Sequence, residues 1–212
     1  MGRSSRIILG ACLILLSGAA QAEYTSQEWE VLKTGEVSAK EVFRTNPEGT
    51  SQTQVEVKVW IKAPREEVWK TIRDYEHFHE FMPNIRRCKV VQHEGDTYWV
   101  AYQTSVLGVQ IIYHQKFAGD GQMRHIDISL DETRPNEMRN IKGYWQLDDA
   151  PEAQGTILTY SIYLDPGFKV PEGLARKVSK PGIINVAKNV RSRVESGGTW
   201  KKSKKSEISS DE

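Results

Sequence analysis

Several tyrosines fall in segments where apolar and polar residues alternate, a pattern typical of a strand with one buried face. They are Tyr98, Tyr102, Tyr113 and Tyr160. On a buried face each would carry a phenolic hydroxyl into an apolar interior. A buried hydroxyl needs a hydrogen-bond partner, which a bound ligand or a water molecule can supply. The chemistry that these residues indicate is binding of an apolar ligand.

A cluster of acidic residues and histidines follows the first predicted helix of the central region: Asp74, Glu76, His77, His79 and Glu80. A His-x-His pair can ligate zinc from a strand. On a helix or a turn, however, residues two apart point away from each other, so His77 and His79 cannot easily share one ion. The pattern favours a solvated polar surface, and we predict no metal site.

The remaining histidines, His93, His114 and His125, raise the question of catalysis. No nucleophile elbow and no Ser/His/Asp spacing accompanies them, so we assign no catalytic residue. An enzyme that polarises a carbonyl would need only cavity tyrosines and a histidine, or an arginine such as Arg124, and this alternative stays open. The sequence contains no glycine-rich phosphate loop and no CxxC pair, and no cofactor is predicted.

The composition is that of an ordinary globular protein. Of 212 residues, 38% are hydrophobic and 27% are charged, with 29 Lys and Arg against 28 Asp and Glu. This near balance excludes a strongly basic nucleic-acid binder, and the low cysteine content excludes a disulfide scaffold. We therefore expect no nucleic-acid partner.

Residues 1–22 have the three parts of a secretory signal peptide. Arg3 and Arg6 precede an apolar stretch at residues 7–16, and Ala20-Gln21-Ala22 places small residues before the expected cleavage site. The apolar stretch is shorter than the ~20 residues that a transmembrane helix needs. We predict cleavage after Ala22 and a secreted or periplasmic protein.

A lipoprotein is the alternative interpretation of the same segment. Residues 9–12 read Leu-Gly-Ala-Cys, a lipobox-like pattern in which Cys12 would be lipidated. Only Ile7 and Ile8 would precede it as apolar core, and the apolar run continues past it, so cleavage after Ala22 is preferred. Cys88 is then the single cysteine of the mature chain, which excludes an internal disulfide.

The order of the remaining elements follows from their hydrophobic periodicity. Residues 23–52 are weakly patterned and predict a short helix and a strand. Residues 54–62 alternate strictly and predict a second strand, after which Pro64 begins a helix. A second short helical segment follows and is broken by Pro83.

The second half of the chain predicts strands followed by one long helix. Six strands are expected between residues 86 and 164, and the helix between residues 171 and 194. Pro181-Gly182 should kink or interrupt this helix near its middle. Residues 196–212 are charged with few apolar residues, and we expect them to be disordered.

This order predicts a curled antiparallel sheet whose concave face is closed by the last helix. Where a sheet grips a single helix, room remains between them for an apolar ligand. Alternation places one set of side chains on the concave face, with filling of a core as the alternative to a cavity. The predicted cavity residues are Val59, Tyr98, Tyr102, Ile111, Tyr113, Ile126, Ile128, Trp145, Leu158, Tyr160 and Ile162.

The motifs along this region resemble those of a known superfamily. They are Ala63-Pro64, Val68-Trp69, Asp74-Tyr75 and Phe81-Met82-Pro83, followed downstream by Gly143-Tyr144-Trp145, Gly155-Thr156 and Asp165-Pro166-Gly167. Residues 53–195 are similar to the START-like (SRPBCC) superfamily, in particular its coenzyme Q-binding, polyketide cyclase/dehydrase and RatA-type branch. The resemblance implies an α+β helix-grip fold, with a curled antiparallel sheet of about seven strands around a long C-terminal helix.

We therefore divide the chain into a signal peptide (1–22), an N-terminal extension (23–52), a helix-grip domain (53–195) and a charged tail (196–212). The expected function is binding of a hydrophobic small molecule, either a lipid or an isoprenoid quinone. A polyketide cyclase/dehydrase-like enzyme and a periplasmic protein-interaction module that uses the extension are the alternatives. Basic residues of the last helix and the tail suggest peripheral contact with anionic lipid headgroups.

Overall fold

The computed structural model describes residues 25–45, 51–106, 108–150, 154–167 and 172–203. The predicted signal peptide, its cleavage after Ala22 and the alternative at Cys12 lie outside the described residues. The helices are α1 (Ser26–Lys33), α2 (Arg65–Ile72), α3 (Phe78–Phe81) and α4 (Glu172–Glu195), with a 3₁₀ turn at Tyr75–His77 before α3. The strands are β1 (Ser38–Thr45), β2 (Ser51–Ile61), β3 (Ile85–Glu94), β4 (Thr97–Val106), β5 (Val109–Gly119), β6 (His125–Leu130), β7 (Asn140–Asp149) and β8 (Thr156–Asp165).

All the strands form one antiparallel, eight-stranded sheet in the order β1-β2-β8-β7-β6-β5-β4-β3. The predicted α+β fold, a curled antiparallel sheet with a C-terminal helix, is confirmed. The sheet has one strand more than the seven expected, because β1 of the N-terminal extension pairs along β2, with Ser38 opposite Lys58 and Thr45 opposite Ser51. The extension is thus continuous with the sheet at its edge.

Helix α2 covers one end of the concave face. Its buried residues are Val68, Trp69 and Ile72, at the spacing of one helical face. Pro64 immediately precedes the helix, and Glu66 and Glu67 lie in its first turn, where negative charge favours the helix dipole. The helix contacts β7, β8 and α4.

Helix α4 packs against β2 with the apolar face of its second half. Ile183, Ala187, Val190 and Val194 recur at helical spacing and are buried. Pro181 does not interrupt the helix, which runs from Glu172 to Glu195 with the proline inside it, and the alternative expectation of a kink stays a prediction. A proline removes one helical hydrogen bond, and burial of the apolar face beyond it offsets that loss.

The chain beyond α4 corrects the prediction of a disordered tail from residue 196. Gly197 and Gly198 have positive φ values of 65° and 83° and turn the chain after the helix. The Lys202 backbone N–H then donates to the Glu80 carbonyl at 2.9 Å. The Lys202 ammonium donates to the carbonyls of Met82 and Ile85, both at 2.9 Å. Residues up to 203 are therefore held against α3, and residues 204–212 lie outside the described residues.

Helix α1 packs on the opposite, convex face of the sheet. Its buried Trp29 and Leu32 contact Ile157 and the partly buried Trp60. The Trp29 and Trp60 rings meet edge to face, with centroids 5.7 Å apart. The apolar anchors of the extension are thus used inside the fold. Among the described residues, no helix combines the length and the apolarity that crossing a bilayer requires.

Candidate ligand-binding site

The predicted cavity residues all lie on the concave face. Residues that pair directly across antiparallel strands share a face, and the pairs connect the set from β2 to β4. Val59 is opposite Leu158, and Trp145 is opposite both Tyr160 and Ile126. The remaining pairs place the other members on the same face: Tyr98 with Phe117, Tyr102 with Tyr113, Ile111 with Thr104, and Ile128 and Ile162 with Gly143. Their role in binding stays a prediction.

The end of the concave face nearest α2 is filled by other side chains. We call it the packed end, and its predicted cavity residues are Val59, Tyr98, Ile126 and Leu158. Val59 and Leu158 have no exposed surface, and Ile126 is 1% exposed. The Tyr75 ring, carried by the 3₁₀ turn, lies 4.5 Å from the Phe117 ring and 5.1 Å from the Tyr98 ring, measured between centroids. These contacts leave the packed end as hydrophobic core.

The Tyr98 ring also contacts two polar side chains at the rim of the packed end. The Arg73 guanidinium lies 4.8 Å from its ring centroid, and the His93 ring stacks on it at 4.0 Å. A cation over an aromatic face is a favourable contact. Tyr98 therefore makes packing contacts at this end, and its place in a binding cavity stays a prediction.

The opposite end of the concave face carries the remaining aromatic residues. We call it the tyrosine end and define it by Tyr102, Tyr113, Trp145 and Tyr160, with Ile111, Ile128 and Ile162 around them. The Tyr102 and Tyr113 rings stack with centroids 5.5 Å apart, and the Trp145 and Tyr160 rings stack at 4.0 Å. Gly143 makes room there, because a Cβ on it would come within 2.6 Å of the Ile162 Cδ1 atom.

The tyrosine end contains buried polar atoms without a hydrogen-bond partner among the described residues. They are the Tyr102 hydroxyl oxygen and the Trp145 Nε1, on side chains that are each 2% exposed as residues. An unsatisfied buried polar group costs about 1–3 kcal/mol. Similar atoms occur on the convex face at Thr159 and Ser161, but those on the concave face lie beside further phenols, so a ligand would meet several polar groups at once.

Burial keeps the phenols of this end neutral. It raises the pKa of Tyr102, Tyr113 and Tyr160 well above the ordinary value, and the neighbouring phenols raise it further at Tyr102 and Tyr160. A neutral phenol both donates and accepts hydrogen bonds. The phenols of the tyrosine end can therefore form hydrogen bonds with a carbonyl or hydroxyl oxygen while they remain neutral.

The acidic and histidine cluster does not converge on a common point. The His77 Nδ1 atom lies 2.6 Å from the Asp74 Oδ1 atom, and this hydrogen bond raises the pKa of His77. The His79 Nδ1 atom lies 2.9 Å from the Glu76 carbonyl oxygen. Within the described ranges, no three potential metal-ligating side chains come together.

His114, His125 and Arg124 make their contacts with loops and on the convex face. The His114 Nδ1 atom lies 3.1 Å from the Pro135 carbonyl oxygen, and the His125 Nδ1 atom lies 2.8 Å from the Gln146 side-chain oxygen. Arg124 lies 3.6 Å from Asp149. His114 is opposite Ala101 in the sheet and so faces away from Tyr113, which removes it as a partner for catalysis at the tyrosine end.

A groove of about 400 Å³ along the edge strand β3 was missed by sequence reasoning. Its lining residues are His79, Arg86, Arg87, Cys88, Lys89, Ala101, Tyr102, Gln103 and Ile112. The pairing of β3 with β4 shifts register between Ile85 and Arg87 and again between Val90 and Gln92. The adjacent charged residues before Cys88, which break the alternation of this strand, are the signal that indicates such a bulge.

Comparison with known proteins places the chain in a family. Residues 61–191 match the family model described as polyketide cyclase / dehydrase and lipid transport. No curated protein matches the chain significantly in sequence. Several solved structures share the fold at low identity, and this likeness shows the fold alone.

A STAR-related lipid transfer protein from Xanthomonas axonopodis is 22% identical, with 74% of this chain and 93% of that chain covered and a TM-score of 0.59. The Zhui aromatase/cyclase from Streptomyces sp. R1128 is 18% identical, with coverages of 67% and 93% and a TM-score of 0.58. Human StAR-related lipid transfer protein 5 is 13% identical, with coverages of 76% and 83% and a TM-score of 0.59. The chain belongs to the polyketide cyclase / dehydrase and lipid transport family.

Proposed function

We propose that this protein binds a hydrophobic small molecule at the tyrosine end, between the curled sheet and α4, with a lipid or an isoprenoid quinone as the ligand class. The observation that carries the proposal is the pair of buried polar atoms, the Tyr102 hydroxyl and the Trp145 Nε1, that have no hydrogen-bond partner among the described residues. A ligand with a polar group beside each atom would satisfy them and bury its apolar part against the neighbouring isoleucines.

The energetics support such a ligand. Burial of ~400 Å² of apolar ligand surface contributes about 10 kcal/mol before the costs of ordering are subtracted. A net binding free energy of about 8 kcal/mol corresponds to a micromolar dissociation constant. The names of the structural relatives, which include two lipid transfer proteins and one aromatase/cyclase, agree with an apolar ligand in this fold.

We further propose that the protein is exported, with cleavage after Ala22 and with lipidation at Cys12 as the alternative. The ligand would then be a molecule of the cell envelope. Fewer basic residues are available for peripheral contact with anionic lipid than the sequence indicated, because some of them have partners within the protein. Arg193 and Lys201 pair with Glu80, and Arg191 donates to the Gly35 carbonyl, which leaves exposed residues such as Lys188 for headgroups.

The test is native mass spectrometry and lipid extraction of the exported protein, combined with uptake of a fluorescent apolar probe. We expect an apolar molecule to co-purify with the protein. We also expect the protein to take up the fluorescent probe, and the extracted molecule to displace the probe when it is added back. Tyr160→Phe should weaken probe binding several-fold, whereas Tyr163→Phe should leave it unchanged. Tyr163 lies on the same strand but is opposite Lys142 on the other face, so it is a matched control. Absence of both a co-purifying ligand and probe uptake would overturn the proposal.

A cyclase-type enzyme is the second candidate, favoured by the neutral, clustered phenols. A neutral phenol can donate a hydrogen bond to a substrate carbonyl and stabilise an enolate as it forms. This candidate predicts turnover of a poly-ketone substrate that Tyr113→Phe abolishes while thermal stability is unchanged. Binding without turnover for the wild-type protein would favour the first candidate.

A further inference from the structure

The chain beyond α4 is fixed at the free edge of the sheet. The strand β3 is the last strand of the sheet order. The Asn84 carbonyl accepts from the backbone N–H of Ser105, on β4, at 2.9 Å. Carbonyls of successive strand residues point to opposite sides, so the Ile85 carbonyl points away from β4. The Lys202 ammonium donates to this carbonyl at 2.9 Å, and therefore lies at the outer edge of β3, where the strand begins.

The groove along β3 is basic and partly apolar. Arg87 and Lys89 line it on the convex face. Both are exposed, and neither forms an ion pair with any described residue. Gln103 is opposite both Arg87 and Ile112, and Ile112, which also lines the groove, is 49% exposed. The lining contains no Asp or Glu. The groove therefore suits a segment that carries acidic side chains next to an apolar one.

The segment that follows Ser203 has this pattern. Residues 204–212 lie outside the described residues, and their sequence is Lys-Lys-Ser-Glu-Ile-Ser-Ser-Asp-Glu. Glu207 is followed directly by Ile208, the single apolar residue of the segment, and two further acidic residues come after it. Opposite charges attract across a surface contact. The acidic part of the segment is thus complementary to the groove.

The lengths of chain also agree. The four residues from Ser203 to Glu207 reach about 13 Å when they are extended. The four residues from Ile85 to Lys89 rise about 13 Å along β3. A chain that leaves Lys202 in the direction of β3 can therefore bring Glu207 beside Lys89.

We propose that residues 206–212 bind in the β3 groove of the same chain. The acidic side chains pair with Arg87 and Lys89. Ile208 packs on the exposed surface of Ile112. Exposed ion pairs are individually weak, but a short tether holds the segment at an effective concentration of about millimolar. The bound segment covers the edge strand β3, at which the sheets of two molecules could otherwise pair.

The test is paramagnetic broadening of amide NMR signals in the mature protein. A nitroxide is attached at Ser210→Cys in a background that carries Cys88→Ser, because a serine hydroxyl can also donate and accept a hydrogen bond at this position. We expect the amide signals of Arg87 and Lys89 to lose most of their intensity. The signal of Lys40, on the opposite edge strand β1, should keep its intensity.

Two double variants test the role of charge. Arg87→Gln/Lys89→Gln should restore the signal of Gln103, which also lines the groove. Salt at 1 M should do the same, because it screens charges beyond about 3 Å. Lys116→Gln/Lys142→Gln removes equal charge elsewhere on the convex face and should leave the broadening in place.

Three results would overturn the proposal. They are unchanged groove signals in the nitroxide-labelled protein, broadening that Arg87→Gln/Lys89→Gln does not reduce, and equally strong broadening between isotope-labelled molecules and separate nitroxide-labelled molecules. The last result would mean that the segment binds a second copy. If the Cys88→Ser background does not fold, amide shifts of Arg87 and Lys89 are compared with and without residues 206–212, and identical shifts would contradict the proposal. Each of these results would leave the proposed ligand binding in place.

Discussion

The packed end and the tyrosine end belong to the same sheet face but differ in what covers them. Side chains from α2, the 3₁₀ turn and α4 fill the packed end, where Val59, Ile126 and Leu158 are at most 1% exposed and Tyr98 is partly buried. At the tyrosine end, the Tyr102 hydroxyl and the Trp145 Nε1 have no hydrogen-bond partner within the described ranges. One end is thus expected to contribute mainly to stability and the other mainly to binding.

The largest expected effect separates the two ends through a single strand. Leu158→Ala should lower the free energy of unfolding by about 3 kcal/mol, because it leaves a cavity beneath α2 and α4. Tyr160→Phe, two residues along β8, should lower it by less than about 1 kcal/mol. Urea denaturation of both variants is the measurement. A loss at Leu158 no larger than that at Tyr160 would mean that the packed end is not core.

The next effect concerns the ion pair between Arg193 of α4 and Glu80 of α3, which holds α4 against α3. The Arg193 guanidinium lies 2.9 Å from the Glu80 carboxylate and donates to the Trp200 carbonyl at 2.9 Å, with 9% of its side chain exposed. Removal of one partner of a buried pair costs about 3 kcal/mol. Arg193→Ala should therefore lower the melting temperature clearly, whereas Lys188→Ala, an exposed change on the same helix, should not. Equal melting temperatures would refute the role of this pair.

A smaller effect of the opposite sign is expected at the tyrosine end. Tyr102→Phe removes a hydroxyl that has no partner in the described structure, so the free energy of unfolding should stay the same or rise by about 1 kcal/mol. Affinity for a probe that has a polar headgroup and an apolar chain should fall about five- to tenfold, because the probe loses a hydrogen bond to the Tyr102 hydroxyl. Calorimetry and probe displacement on the same sample measure both. A clear loss of stability would show that the hydroxyl serves the fold.

The smallest effect is a pH dependence of the stability that Glu80 of α3 contributes. The hydrogen bond from Lys201, together with Arg193, lowers the pKa of Glu80 below its ordinary value. The stability from this carboxylate is therefore present above the ordinary glutamate pKa and is lost as the pH falls through the lowered value. The stability difference between wild type and Glu80→Gln should shrink between about pH 5 and pH 3. A difference that is constant over this range would contradict the shift.

Strand alternation alone identified the concave face correctly, because side-chain direction in a strand repeats every two residues. The same pattern could not separate the two ends. Tyr98 and Tyr102 occupy equivalent positions on β4, and what distinguishes Tyr98 is its contact with the Tyr75 ring, the His93 ring and the Arg73 guanidinium. What covers a strand residue depends on tertiary contacts that periodicity does not contain.

Backbone contacts explain the other differences. The segment after α4 looked disordered because it has few apolar residues, yet Lys202 is held by carbonyl groups of α3 and β3, which composition does not reveal. The strand β1 and its pairing with the following strand were foreseen from the sequence, and β1 pairs with β2 along its whole length. The groove runs along β3, whose pairing with β4 contains two register shifts, and alternation alone does not fix where a bulge shifts the register.

The central claim is that a hydrophobic ligand occupies the tyrosine end rather than any other part of the fold. A crystal structure of the protein with a fatty acid brominated at mid-chain tests it directly, because anomalous scattering locates the bromine atoms. We predict bromine in contact with Tyr113, Trp145 and Tyr160. Bromine found only on the outer surface, or no bound bromine at saturating concentration, would contradict the account.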